Sequence, residues 1–183
     1  MARPTELRTD RLHLRPFRAG DVDDALAYRD DPEFARFLPH VPSPFTRADA
    51  EAFVARNMAE PWETSPVFAV VLDGTVIGTL NLEIEPAKRA AMLGYAIGRR
   101  WWGRGLATEA ARAAMAWAVA AHPLSRVWAS SDVRNVRSHR VLEKLGMRCE
   151  SVRVADHVGR GGMMVDEAVY GVDLVLGQRG SQA

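Results

Sequence analysis

Two glycines one residue apart, Gly103 and Gly105, stand where RRWWGRGLATEA (Arg99 to Ala110) leaves an apolar run and turns helical. Glycine accepts positive φ and lets a ligand come close to the backbone. The helix that opens there aims its unpaired N–H groups and the positive end of its dipole into the corner, which makes an anion site. Arg99, Arg100 and Arg104 add local cations, and Thr108 can add a hydroxyl. The same glycine pair also describes an ordinary strand-to-helix corner.

Two further stretches carry reactive groups. In NVRS, Asn135 opens a helix and Ser138 follows one turn later, so both face one cleft. Residues of this kind are equally the material of helix caps. In NLEIE, Glu83 and Glu85 alternate out of a strand, where either serves as a base or as a solvated strand residue; Glu83 is favoured. His139 adjoins Ser138 but points about 100° away on a helix, which predicts a surface position. Cys149 is the single cysteine, so an intrachain disulfide and a cysteine metal cluster are both excluded. Its place after EKLGMR predicts a buried structural thiol.

The elements that must hold these residues follow from the pattern. LRTDRLHLRPF alternates Leu12, Leu14 and Phe17 with polar residues and predicts one half-buried strand. Helices are predicted over Asp21 to Arg29 and Pro32 to Leu38, then the irregular PHVPSPF loop. Thr46 and Asp49 form a capping box for a helix over Arg47 to about Asn57. Asp73-Gly74 joins two strands in VFAVVLDGTVIGTLNLEI, the strongest short hairpin signal, and AMLGYAIG is a further strand. A helix then runs to about Ala120, with Leu106, Ala110, Ala113, Ala114, Trp117 and Ala121 on one face. RVWASS is a strand, NVRSHRVLEKLG a helix closed by Gly146, and two strands flank the Gly159 to Gly162 turn. This order predicts an α/β domain on one mixed sheet.

Composition narrows the partners. The chain has 183 residues, 48% of them hydrophobic, and a formal net charge of +1. The length suits one compact domain over residues 1–183. The charge argues against nucleic acid or an anionic membrane as the main partner. No apolar run reaches bilayer length and the N-terminal stretch lacks a signal-like apolar segment, so a cytoplasmic location is expected. Lys88 and Lys144 are the only lysines. That arginine bias is the mark of a GC-rich genome and lowers the weight of any isolated arginine.

Two nucleotide motifs fail at the glycine pair. A dinucleotide fingerprint needs glycine where Thr108 stands, and no Gly-Lys-Ser/Thr is present for a P-loop. Arg100-x-x-Gly103-x-Gly105-x-Ala107 instead resembles the signature of the GNAT acetyltransferases. GYAIGRRWWGRGLATEA with NVRSHRVLEKLGMRCE is similar to the RimJ/RimL branch, which acetylates protein N-termini and related amines. LRTDRLHLRPF and GTVIGTLNLEI fit in the same order, so the resemblance spans Leu7 to about Leu174.

The resemblance implies a GNAT fold: a mixed, mostly antiparallel sheet of about six to seven strands flanked by helices. It implies acetyl-CoA as cosubstrate, with no metal and no requirement for a nucleic acid or membrane. The pyrophosphate would meet the turn of Trp102, Gly103, Arg104, Gly105, Leu106 and Ala107, beside Arg100, with the Thr108 hydroxyl added. Backbone groups near Ile97 would bond the acetyl end, and Asn135 would touch the pantetheine arm. Ser138 would donate a proton to the departing sulfur; the tyrosine that many relatives place a turn later is Leu142 here. Many members carry a glutamate just before the Gly-Tyr pair, where this chain has Met92, which leaves Glu83, water or no base. The implied acceptor is a primary amine, either a peptide N-terminus or a small molecule, taken from the early helices, the FLPHVPSPF loop and the Gly159 to Met164 turn. His40, Phe45 and Trp62 could line that pocket or simply pack. A homodimer and a catalytically silent acyl-CoA-binding module are the remaining readings.

Overall fold

The stretch expected to form one opening strand folds back on itself. In the computed structural model, which describes residues 5–174, it divides into β1 (Leu7–Arg8) and β2 (Leu12–Pro16). The Thr9 N–H donates to the Leu12 carbonyl at 2.9 Å, and the Leu12 N–H returns to Thr9 Oγ1 at 2.9 Å. These local bonds override the alternation that predicted a continuous strand. The division accounts for eight strands where six to seven were expected.

After β2, Arg15 grips Asp21 through two hydrogen bonds of 2.7 and 2.8 Å in a buried setting, fixing the entry to α1 (Val22–Arg29). α2 covers only Pro32–Ala35, not the span to Leu38 that was expected. The Leu38 N–H bonds the Ala35 carbonyl at 3.0 Å in a tighter turn, and Pro39 disfavours further helix at the residue before it. Arg160, from the turn between the last two strands, bonds the carbonyls of Ala35, Leu38 and Val41 and holds the loop in place. α3 (Arg47–Ala59) starts on the predicted capping box of Thr46 and Asp49.

The hairpin of β3 (Val67–Leu72) and β4 (Thr75–Glu85) turns at Asp73 and Gly74, whose φ angles are 49° and 84°. Both are left-handed, as a two-residue hairpin turn requires. β5 (Ala90–Ile97), α4 (Leu106–Ala121), β6 (Arg126–Asp132), α5 (Val136–Lys144), β7 (Arg148–Val158) and β8 (Met164–Asp173) complete the order. The sheet runs β1-β2-β3-β4-β5-β6-β8-β7, and only β5 and β6 are parallel. Two cores flank it. One packs Leu106, Ala110, Ala111, Ala114 and Ala118 of α4 on the sheet; the other gathers Phe17, Tyr28, Phe34, Phe45 and Phe53 around α1 to α3. The buried face of α4 is rotated from the expected one, with Ala121 exposed and Trp117 half-buried at its margin. Cys149 is exposed rather than buried, because β7 is the outer strand and faces solvent along nearly its whole length.

Candidate active site

The corner after β5 is closed by side chains. Gly98 has no room for more, since a Cβ there would meet the Trp101 ring at 2.7 Å. The Trp102 indole N–H donates to the Ile97 carbonyl at 2.6 Å, and Arg137 of α5 lies 4.9 Å over the same ring. Gly103 and Gly105 take φ of 74° and 77°, the latter as the residue capping α4. Leu106 and Thr108 are buried, so at these positions the helix start presents backbone N–H groups rather than side chains. Arg99, Arg100 and Arg104 are exposed. Arg99 lies 3.7 Å from Asp31, and the Arg104 carbonyl accepts from Arg11 at 3.0 Å.

β5 and β6 then part. Only Ala90 to Met92 pair with Arg126 to Trp128, so beyond Met92 the backbone on that side of β5 faces no strand. A cavity of about 380 Å³ opens there, lined by Gly94, Tyr95 and Ala96 of β5, Ala129 and Ser130 of β6, and Ser138 and Leu142 of α5.

Asn135 caps α5 by accepting the Ser138 N–H at 3.2 Å. Ser138 Oγ lies 2.9 Å from the Tyr95 hydroxyl. Burial pushes the Tyr95 phenol up to about 12, against the restraining hydrogen bond of Ser138, so it keeps its proton at neutral pH. Glu83 is exposed, stands in register with Met92 and lines the cavity. Glu85 instead pairs with Lys88 at 2.5 Å and does not line it. The opposite wall carries Arg29, His40, Phe53 and Arg56.

Other sequence expectations separate here. His139 is half-buried rather than on the surface: its Nε2 lies 3.1 Å from the Asp132 carbonyl, and its ring lies 5.3 Å from Tyr170. Trp62 packs against Phe68 and Trp117 at 4.9 and 6.3 Å, away from the cavity. Phe45 is buried behind Arg29, whereas His40 reaches the cavity wall. Tyr95, Arg29 and Arg56 are among the wall residues that sequence reasoning passed over. The signal for Tyr95 is its spacing two residues from Leu93 and from Ile97 in one strand; Arg29 carried none beyond its place at a helix end. Among the described residues, the one grouping of metal-type ligands is Asp156, His157 and Glu167, which does not line the cavity. No helix among them is long and apolar enough to cross a membrane.

A family model described as an acetyltransferase (GNAT) domain matches residues 11–148. The Bacillus subtilis N-acetyltransferase YnaD is 28% identical over 166 residues, covering 91% of this chain and 95% of that one. The [ribosomal protein uS5]-alanine N-acetyltransferase of Escherichia coli is 34% identical over 77 residues, 41% of this chain and 40% of its own. A GNAT-family acetyltransferase from Bacillus anthracis superposes with a TM-score of 0.80 at 25% identity, covering 92% of this chain and 98% of that one.

Proposed function

The chain belongs to the GNAT acetyltransferase family and is an acyltransferase, and we propose that it moves the acetyl group of acetyl-CoA onto the N-terminal α-amine of a protein or peptide, in the manner of the RimJ/RimL branch. The observation that carries this reading is the Ser138–Tyr95 pair at the gap between β5 and β6.

Each step falls to groups already described. The free side of β5 offers backbone partners to the pantetheine amides, and the N–H groups from Gly103 to Thr108 receive the pyrophosphate, with Arg100 and Arg104 nearby; the Trp102 N–H is held by the Arg99 carbonyl at 3.1 Å. Since the Ile97 carbonyl is engaged by Trp102, the backbone contact to the acetyl end comes from the neighbouring groups of β5. An α-amine titrates near pH 8, so a useful fraction is neutral at physiological pH. Its nitrogen attacks the thioester carbonyl directly. A C–N bond forms, the C–S bond breaks, and the amine proton leaves through Glu83 or water. Ser138, hydrogen-bonded to Tyr95, gives a proton to the departing sulfur and regains one from the water that takes up the amine proton.

A small-molecule amine is the second reading, supported by a cavity of about 380 Å³, a size that small-ligand sites share. Release of CoA thiol with a panel of peptides and small amines, read with mass spectrometry of the products, decides between them. Acetyl-CoA binding without turnover on any acceptor would replace both with a silent acyl-CoA-binding module.

A further inference from the structure

Arg29 ends α1 with 5% of its surface exposed. Its Nε is buried without a hydrogen-bond partner, and no carboxylate among the described residues pairs with the guanidinium. Aromatic rings surround it instead: Phe53 at 3.9 Å, Phe45 at 5.1 Å and Phe34 at 5.4 Å. Rings stabilise a cation over their faces, but they leave the in-plane Nε–H unanswered. Buried charges are as a rule paired, and an unanswered one calls for an explanation.

The surroundings supply it. Arg29 lines the same cavity as Ser138, with Arg56 and His40 beside it. Burial pushes the His40 ring down, and the charges of Arg29, Arg56 and Arg160 push it further, so that wall carries a positive potential with a neutral imidazole in it. Arg160 donates to the three loop carbonyls already named, which leaves Arg29 and Arg56 as the cations open to a ligand. Glu60 and Glu83 also line the cavity, and neither forms an ion pair with them. The cavity thus carries both signs, with Arg29 and Arg56 beside the ring of Phe53, Glu60 at the end of α3 and Glu83 on β4.

We propose that the acceptor amine carries a carboxylate, received by the guanidinium forks of Arg29 and Arg56 while the amine faces Ser138. The planar fork of arginine matches a carboxylate with two parallel hydrogen bonds. An N-terminal segment with an acidic residue beside its α-amine has this chemistry, and so does a free amino acid. The inference rests on the cavity being the acceptor site of the proposed transferase.

The test compares matched acceptors that differ only in charge: peptides with Asp or Glu at the second position against the same peptides with Asn or Gln, and a free amino acid such as alanine against its α-carboxamide. At least a tenfold higher kcat/KM for the acidic member of a pair is expected. In Arg29→Gln that ratio falls toward one, and in Arg56→Gln, altered at an exposed position that folding tolerates, it shrinks severalfold. A ratio near one in the wild type, or an unchanged ratio in soluble Arg56→Gln, overturns the carboxylate subsite while leaving acetyl transfer intact. Turnover with none of the acceptors, despite acetyl-CoA binding, overturns the transferase reading itself. Preference for the peptide or for the amino acid identifies the source of the carboxylate.

Discussion

The Tyr95 hydroxyl stands 2.9 Å from Ser138 Oγ, linking β5 to α5 across the gap where the sheet divides. The same phenol donates to the Ser138 backbone carbonyl at 3.2 Å, and between the two hydroxyls either can donate. On the proposed mechanism, the pair supplies the acid for the departing sulfur.

Removing Ser138 should therefore hurt more than removing its partner. Ser138→Ala is expected to lower kcat about 100-fold, and Tyr95→Phe about tenfold, near 1.4 kcal/mol of barrier. Neither should change acetyl-CoA affinity more than about twofold on a binding titration. Wild-type kcat in Ser138→Ala would remove it from the acid role.

The alkaline limb of stability should carry the signature of Tyr95. Its folded pKa is raised from 10.0 to about 12, so the unfolded chain loses this proton first. The stability it contributes is whole below pH 10 and drains away as pH climbs toward 12. Melting temperatures across that range should fall more steeply for wild type than for Tyr95→Phe. Parallel curves would show that the phenol titrates normally.

The glycine corner makes a separable prediction. Gly105→Ala meets nothing closer than Arg11 at 3.7 Å, so its cost is backbone strain at φ 77°, roughly 1–2 kcal/mol. Acetyl-CoA binding should weaken severalfold as the helix start shifts. Trp102→Phe removes the 2.6 Å bond to the Ile97 carbonyl, costs about 1 kcal/mol and should weaken the same binding. Lost stability with unchanged coenzyme affinity in both variants would place the pyrophosphate elsewhere.

Glu109 ties the β1–β2 turn to α4. Burial raises its carboxyl pKa, but the bonds from Thr9 and Arg11 outweigh that and hold it below the ordinary value. Its stabilisation is accordingly complete above the ordinary carboxylate range and lost as pH falls through the depressed value. With Arg11 45% exposed, screening limits the effect to about 1 kcal/mol. Glu109→Gln should melt lower than wild type at pH 7, and the difference should close in acid. A difference independent of pH would mean that shape, not charge, holds this turn.

Local chemistry explains which features the sequence already announced. The Asp73-Gly74 turn, the Thr46–Asp49 cap and the glycine corner each depend on residues a few positions apart, so their signals survive in one dimension. The division of the first strand rests on local Thr9–Leu12 bonds, but the Thr9 hydroxyl that makes one of them is itself anchored by Glu109, 100 positions away. The exposure of Cys149 depends on β7 being the outermost strand, a matter of sheet order that no local pattern encodes. Tyr95 and Ser138 sit 43 positions apart and meet because β5 and β6 separate. Arg29 resembles any arginine that complements a helix C-terminus, and what sets it apart is that no carboxylate among the described residues pairs with it and its Nε is buried without a partner.

The parting of β5 from β6 has a consequence for folding as well as for binding. An unpaired strand edge ordinarily invites a foreign strand; here the edge is interior, roofed by α5 and walled by β6. On the proposed reading, the slender amide-bearing arm of the coenzyme takes the place of a ninth strand. Acetyl-CoA would then be a structural member of the sheet, and its arrival would finish the folding of the protein that consumes it.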